Sequence, residues 1–334
     1  MKKVAYLGLS LVLVAALAAP GFAQQINDPA EYKVYMDTVY NEKDLVKKAA
    51  GGEKFLVTYP NTVARTQTYM QILLSYVQIP SWPKALETAD KQAQMAPTLG
   101  ADDKKQVLLI GMRAAEQTKN TAKLKDYVNR VLENDPRHLG ALITLSGLLA
   151  NSLPTEQSAI MKHLDETLTI TKRALAQPKP AGASDGQWNP VLVQLRDTSC
   201  MVLLNQKKYT DAIAECQAAL KIDIKDGYAY YLMGLAMKPA AVEAIAKYTA
   251  AIDKLNENRA ADQITRDDLK ATADSLEKTA TTKTDELIEV FAKSVATGWA
   301  NAASARNELK IFKGTPEELN KLIADKKAEI SGGN

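Results

Sequence analysis

Hydrophobic positions recur along this chain at helical spacing, in short segments separated by turn residues. Prolines end three of these segments, at Pro60, Pro97 and Pro136, at intervals of 37 and 39 residues. Similarity at a fixed period indicates a solenoid, in which each helix pair packs chiefly on its neighbours. The clearest i, i+3, i+4, i+7 stripe consists of Tyr69, Ile72, Leu73 and Tyr76.

Small side chains mark the second helix of the predicted pair at 191–222. Ala212, Cys216 and Ala219 are separated by four and three residues, so they share one helical face. A face this small lets a neighbouring helix approach closely. The segment therefore predicts a helix, a tight turn and the start of another helix after Asp226.

The periodicity predicts helices throughout the chain, with Asp28 and Thr315 at cap positions. A loop rich in Pro, Gly and Ser interrupts the pattern at 177–190. The resulting organisation is a leader at 1–23, repeats at 24–176, the loop, repeats at 191–255 and a helical extension at 256–334. The predicted helices span 28–39, 42–59 (interrupted at Gly51 and Gly52), 66–78, 84–95, 102–117, 122–133, 138–150, 155–176, 191–205, 209–222, 228–237, 242–255, 264–281, 284–296 and 317–330.

The N-terminus is typical of a cleavable signal peptide. Lys2 and Lys3 precede an apolar run over 4–19, and small residues favour a cut after Ala23. The alternative is an uncleaved anchor, which the shortness of the run disfavours. Since no later apolar run could span a bilayer, we expect a periplasmic or secreted protein without a transmembrane segment in its mature form.

Composition excludes some partners and favours a helical protein. Hydrophobic residues make up 46% of the chain, but aromatic residues only 6%, which favours helix over sheet. The net charge of +3 falls to +1 without Lys2 and Lys3. Nucleic-acid binders show a clustered basic excess, so we expect no nucleic-acid partner.

The sequence offers no spacing typical of a catalytic or metal site. His138 and His163 are the two histidines, and neither belongs to a metal-ligand motif. We therefore expect no enzyme, no catalytic residue, no metal and no cofactor; a hydrolase or carbohydrate-binding protein would need converging carboxylates. Cys200 and Cys216 form either a disulfide that closes a loop with 15 intervening residues, or two buried thiols.

The helix pairs resemble tetratricopeptide repeats, which carry a small residue between aromatic or apolar positions of the first helix and Ala-x-x-x-Phe/Tyr in the second. The likeness covers about 28–255 and is weak at 105–176. Arg196 departs from it, since the family places a large aromatic residue there. The positions that carry it are Tyr69 to Tyr76 with Ala85, Ala89 and Pro97; Tyr209, Ala212, Cys216 and Ala219; and Tyr230, Met233, Gly234 and Met237 with Ala244, Tyr248 and Ala251.

The resemblance implies an all-α, right-handed superhelix whose first helices line a concave face, with C-terminal helices capping the stack. It also implies a protein or peptide partner on that face; the alternatives are a structural or assembly component of the cell envelope and, for single apolar residues, packing between repeats. The candidate ligand-binding residues are Gln67, Met70, Leu74, Gln106, Leu109, Arg113, Gln194, Asp197, Met201, Tyr228, Tyr231 and Leu235.

Overall fold

A computed structural model describes residues 26–95, 99–312 and 315–332. The predicted leader lies outside them. The described chain is α-helical without a strand, and no helix in it is both long and apolar enough to cross a bilayer. The helices are α1 (Pro29–Tyr35, continued by a π-helical turn at Met36–Tyr40), α2 (Leu45–Thr58), α3 (Arg65–Gln78), α4 (Trp82–Ala93), α5 (Ala101–Gln117), α6 (Thr121–Asn134), α7 (Leu139–Ala150), α8 (Gln157–Leu175), α9 (Asp185–Asn205), α10 (Tyr209–Leu220), α11 (Gly227–Glu257), α12 (Gln263–Ala296), α13 (Ala302–Phe312) and α14 (Pro316–Gly332).

The chain forms two compact units, an N-terminal unit up to Leu148 and a C-terminal unit from Leu149 onward. In the N-terminal unit each helix from α2 to α5 packs on the next one in sequence. Small residues permit this close packing: Ala85 and Ala89 are fully buried, and a Cβ at Gly111 would collide with the ring of Tyr127. The predicted all-α helical-repeat fold is therefore confirmed.

Tyrosine hydroxyls connect successive helices of the N-terminal unit. The Tyr76 hydroxyl donates to Glu53 Oε1 at 2.6 Å, and the Tyr127 hydroxyl donates to Asp90 Oδ1 at 2.9 Å. Burial, followed by the charge of Asp90, raises the pKa of Tyr127 far above its ordinary value. Each bond satisfies a polar group that helix packing partly removes from water.

Gly51 and Gly52 do not interrupt a helix, contrary to the sequence prediction. They lie inside α2 at close contacts, since a Cβ on Gly52 would lie 2.7 Å from Ile72 Cγ1 and one on Gly51 would lie 2.5 Å from the carbonyl oxygen of Thr38. Packing of α2 against Thr38 and Ile72 compensates for the low helix propensity of the two glycines.

In the C-terminal unit α9 and α10 form a helix pair of the predicted type. Cys200 and Cys216 are bonded as a disulfide, with their Cα atoms 5.5 Å apart. Both are fully buried, together with Ala212 and Ala219. The small-residue face predicted on α10 is thus the seam of this pair.

The predicted loop at 177–190 is too long by six residues, because α9 already begins at Asp185. Ser184 caps it: the Gln187 backbone N–H donates to Ser184 Oγ at 3.3 Å, and the Ser184 N–H donates to Gln187 Oε1 at 3.0 Å. Pro190 lies near the start of the helix, where its missing N–H removes one backbone bond only. The capping box, which the sequence prediction overlooked, outweighs the proline.

The predicted pair 228–237 and 242–255 is wrong, because α11 runs without a break from Gly227 to Glu257 through Pro239. Met237 and Ala244 are seven residues apart, whereas the corresponding Tyr76 and Ala85 are nine apart. The segment between the two predicted helices is therefore two residues too short for the turn of a helix pair. The turn before α10, by contrast, includes a left-handed residue, Lys207, with φ of 61°.

The C-terminal extension differs from its prediction in two places. The helices predicted at 264–281 and 284–296 are one helix, α12, since no Gly or Pro separates them, and α13 was not predicted. The apolar stripe of α12 is buried, with Leu287, Ile288 and Phe291 in the core. The Thr315 cap is confirmed, because the Glu318 N–H donates to Thr315 Oγ1 at 3.3 Å.

An ion-pair network fastens α14 to α12. Lys293 Nζ lies 2.8 Å from both Glu289 Oε1 and Glu329 Oε1, and Lys326 Nζ lies 2.8 Å from Glu329 Oε2. Hydrogen bonds from Lys293 and then Lys326 lower the pKa of Glu329 to about 2. Glu329 therefore stabilises the attachment above its unfolded pKa near 4.5, and this contribution is lost as the pH falls toward 2.

We expect acid to loosen α14 selectively. Between pH 6 and pH 2, amide hydrogen exchange of α14 should accelerate relative to that of α9. Glu329→Gln should accelerate the exchange of α14 already at pH 7 and flatten its pH dependence. Asp325→Asn, at an exposed position of the same helix, is the matched control. Equal pH profiles for wild type and Glu329→Gln would contradict the assignment.

Candidate functional site

The predicted ligand residues of the N-terminal unit lie on α3 and α5, the first helices of two pairs. Those that remain half-buried are Gln67, Leu74, Gln106, Leu109 and Arg113. Met70 is an exception, with only 5% of its surface exposed. Because α3 packs on both α2 and α4, more than one of its stripes is buried. Met70 is therefore corrected from a ligand contact to a core residue.

Arg113 is held in place by an aromatic ring. Its guanidinium carbon lies 5.3 Å from the ring centroid of Trp82, a geometry that favours attraction between the cation and the π face. Trp82 is half-buried at the first position of α4 and orients the charge of Arg113. A pre-oriented guanidinium can bind a carboxylate with little loss of side-chain entropy.

A cavity of about 470 Å³ opens beside Leu109, between α5, the end of α6 and the turn before α7. Its apolar wall includes Leu108 and Val131, and its polar wall includes His138 and Lys105. The backbone N–H of Ala141 donates to His138 Nδ1 at 3.2 Å, so the imidazole caps α7. Burial lowers the pKa of His138; the charge of Asp135 opposes this shift and that of Lys105 adds to it. The imidazole is therefore neutral at pH 7 and acts as a helix cap.

His163 also has a structural partner. Its Nε2 lies 2.8 Å from the carbonyl oxygen of Leu149, and because a carbonyl only accepts, the ring nitrogen is the donor. Within the described residues, no group of three or more His, Cys, Asp or Glu side chains is arranged to hold a metal ion.

In the C-terminal unit the predicted aromatic residues are brought together, but around a side chain of the chain itself. The ring centroids of Tyr228 and Tyr231 lie 5.6 and 5.5 Å from that of Trp299. Tyr231 also packs on Phe291 at 6.2 Å, and Leu235 contacts the same buried cluster. Tyr231 and Leu235 thus pack against the C-terminal helices.

Polar contacts complete this attachment. Lys238 Nζ on α11 lies 2.7 Å from Glu308 Oε2 on α13, in a half-buried ion pair, and the Tyr231 side chain is hydrogen-bonded to Ser304. Trp299 and α13 were missed by the sequence analysis because neither belongs to a repeat stripe. The one local signal was Gly298, which follows the end of α12 and adopts a left-handed conformation with φ of 68°.

The remaining predicted residues form a half-buried edge along α9 and α11. Gln194, Asp197 and Met201 lie on α9, and Tyr228 lies on α11, which packs on α9. Burial, followed by the charge of Asp197, raises the pKa of Tyr228 to about 12. The phenol is therefore a neutral hydrogen-bond donor at physiological pH.

Comparison with known proteins gives matches among solved structures only. No family model matches the chain, and no curated protein does. A tetratricopeptide repeat protein from Parabacteroides merdae is 12% identical over 85% of this chain and 99% of its own, with a TM-score of 0.38. PilW, a type IV pilus biogenesis factor, is 13% identical over 77% and 98%, with a TM-score of 0.35. MamA MSR-1 C2 is 12% identical over 66% and 98%, with a TM-score of 0.36. The likeness of this chain to tetratricopeptide repeats therefore rests on its own helix pairs and small-residue seams.

Proposed function

We propose that this protein is a non-enzymatic scaffold that binds another protein or a peptide through the first helices of its N-terminal unit. The observation that carries the proposal is the half-exposed set of Leu74, Leu109 and Arg113 on α3 and α5. α3 packs on α2 and α4, and α5 packs on α4 and α6, so part of each helix remains open to a ligand, and these residues lie on that part.

The chemistry of this surface favours an amphipathic segment with an acidic residue. Leu74 and Leu109 offer apolar contacts, while Gln67 and Gln106 can bind backbone amides of the ligand. Arg113, oriented by Trp82, provides the charge that selects a carboxylate. In the C-terminal unit, the edge formed by Gln194, Asp197, Met201 and Tyr228 is a second, smaller candidate contact.

The proposal places the protein outside the cytoplasm, in the periplasm or secreted. The disulfide between Cys200 and Cys216 supports this location, because such bonds persist in oxidising compartments and are rare in the cytosol. The predicted cut after Ala23 agrees with it. Intact mass measurement of the cellular protein tests both points: export predicts a chain that starts at Gln24 and shows no alkylated thiol before reduction.

The binding surface is tested by site-specific photocrosslinking in intact cells. A photoreactive residue at Leu74 or at Leu109 should give the same discrete crosslinked product. The product should be lost when Arg113→Glu is added, because the charge then repels the acidic ligand. The same group at Lys91, which is exposed on α4, is the control and should not give that product. Crosslinking of equal yield from position 91, or a product insensitive to Arg113→Glu, would refute the proposed surface.

A further inference from the structure

The cavity of the N-terminal unit has an apolar base and room for a small molecule. Leu108 of α5 and Val131 of α6 are 2% and 4% exposed, so they form its shielded base, and Leu109 forms part of its wall. Its volume of about 470 Å³ lies in the range typical of small-ligand sites. At the roughly 30 Å³ that each water molecule takes in the liquid, this space holds about 15 non-hydrogen atoms.

Charged side chains on two different walls of the cavity have no ion-pair partner. Lys104 and Lys105 lie on the α5 wall, and Asp135 lies on the wall formed by the turn between α6 and α7. In the part of the chain that the structure describes, no ion pair includes any of these three residues. Asp102, also in the lining, is exposed in the first turn of α5, where the helix dipole stabilises its charge. The charges left unmatched are therefore positive on one wall and negative on the other.

His138 adds a neutral hydrogen-bond donor to the cavity. Its Nδ1 accepts the Ala141 N–H at 3.2 Å, so the proton of the neutral ring is on Nε2. Among residues 26–95, 99–312 and 315–332, no group accepts a hydrogen bond from this nitrogen. Lys105 and Asp135 both lie close enough to the ring to act on its pKa, in opposite directions. A cation, an anion and a donor therefore surround the same space.

We propose that this cavity binds a dipeptide of large apolar residues with free termini. The carboxylate of the ligand lies against Lys105 and the His138 Nε2–H, and its ammonium lies against Asp135, so each unmatched charge gains an opposite one. The two apolar side chains cover Leu108 and Val131, and a dipeptide has about the number of atoms that the cavity holds. The site goes beyond the proposed scaffold function, because it needs no partner protein, and its failure would leave the crosslinking result at Leu74 unchanged.

The histidine ring signals in a proton NMR spectrum provide a site-specific test. The chain contains only His138 and His163, and His163 does not line the cavity; His163→Gln assigns the two signals. When the mature protein is titrated with leucyl-leucine at pH 7, the His138 Hε1 signal should shift and saturate with a Kd of about 0.2 mM, the value expected for a ligand of this size. The His163 signal should not move. A His138 signal that is unchanged at about 10 mM leucyl-leucine, well above the expected Kd, or equal shifts of both signals, would overturn the proposal.

Modified ligands test the two charges and the size separately. N-acetyl-leucyl-leucine lacks the ammonium and leucyl-leucinamide lacks the carboxylate, so each should bind at least about tenfold more weakly than leucyl-leucine, because one charge-assisted contact is lost. Free leucine should also bind about tenfold more weakly, since it covers less of the apolar base. A blocked dipeptide or free leucine that binds as tightly as leucyl-leucine would contradict the proposed ligand.

Substitutions at the mouth of the cavity test the site itself. Lys105→Gln should weaken the binding of leucyl-leucine about tenfold and change that of leucyl-leucinamide little. Asp135→Asn keeps an oxygen that can accept the Arg137 N–H, and it should weaken leucyl-leucine about tenfold as well. Lys125→Gln makes the same charge change at an exposed position of α6 outside the cavity and should leave the affinity unchanged. Equal weakening by Lys105→Gln and Lys125→Gln, or none by Lys105→Gln, would overturn the proposal.

Discussion

Replacing Phe291 with alanine is expected to lower the free energy of unfolding of the C-terminal unit by about 3–5 kcal/mol. Phe291 is fully buried at the point where α11, α12 and α13 meet, and its ring packs on Tyr231. Removing the ring leaves a cavity that three helix backbones cannot close. Guanidinium denaturation followed by circular dichroism measures the loss.

The close contact with Gly234 supplies a sharp control for this prediction. A Cβ on Gly234 would lie 2.5 Å from Phe291 Cε1, so Gly234→Ala alone should destabilise the unit by about 1–3 kcal/mol through overpacking. In the Phe291→Ala background the clash is absent, and Gly234→Ala should be neutral or stabilising by about 1 kcal/mol. Additive effects of the two substitutions would contradict the packing described for this contact.

Loss of the disulfide is the second large effect. The double variant Cys200→Ala/Cys216→Ala should be less stable than the oxidised wild type by about 3 kcal/mol, because the bond restricts the unfolded chain across a loop with 15 intervening residues. Both cysteines are fully buried in the seam between α9 and α10, so alanine leaves a small cavity as well. Denaturant unfolding of the two proteins measures the difference.

Reduction of the wild type separates the bond from the cavity. In a strong reductant, wild type should lose most of the stability by which it exceeds the double variant, because the crosslink is gone. The free thiols still fill the seam, so the small remainder measures the cavity. Ser184→Ala removes the cap of α9 and should lower the free energy of unfolding by about 1 kcal/mol. This loss should be the same with and without reductant. Two alkylated thiols in the native, unreduced wild type would refute the disulfide.

Local sequence determined most of the helices. The stripe at Tyr69 to Tyr76 and the cap at Asp28 depend only on neighbouring residues, and both elements appear where the sequence predicts them. The small face of Ala212, Cys216 and Ala219 likewise predicted a tight seam, and those residues are fully buried. Helical periodicity, caps and small-residue faces are properties of one segment, so they can be identified without knowledge of its neighbours.

Tertiary packing decided what each surface contacts. Tyr228, Tyr231 and Leu235 have the spacing of a ligand-binding face, yet Trp299 and α13 cover part of that face. Nothing in the spacing of α11 indicates that a segment some 70 residues later in the chain packs there. The same applies to Gly51 and Gly52, where local propensity favours a break and the contacts of α2 with Thr38 and Ile72 keep the helix intact. The sequence by itself determined the helices and their small faces, because these depend on residues three and four positions apart. Only the tertiary structure decided which faces remain open, because that depends on contacts between distant segments.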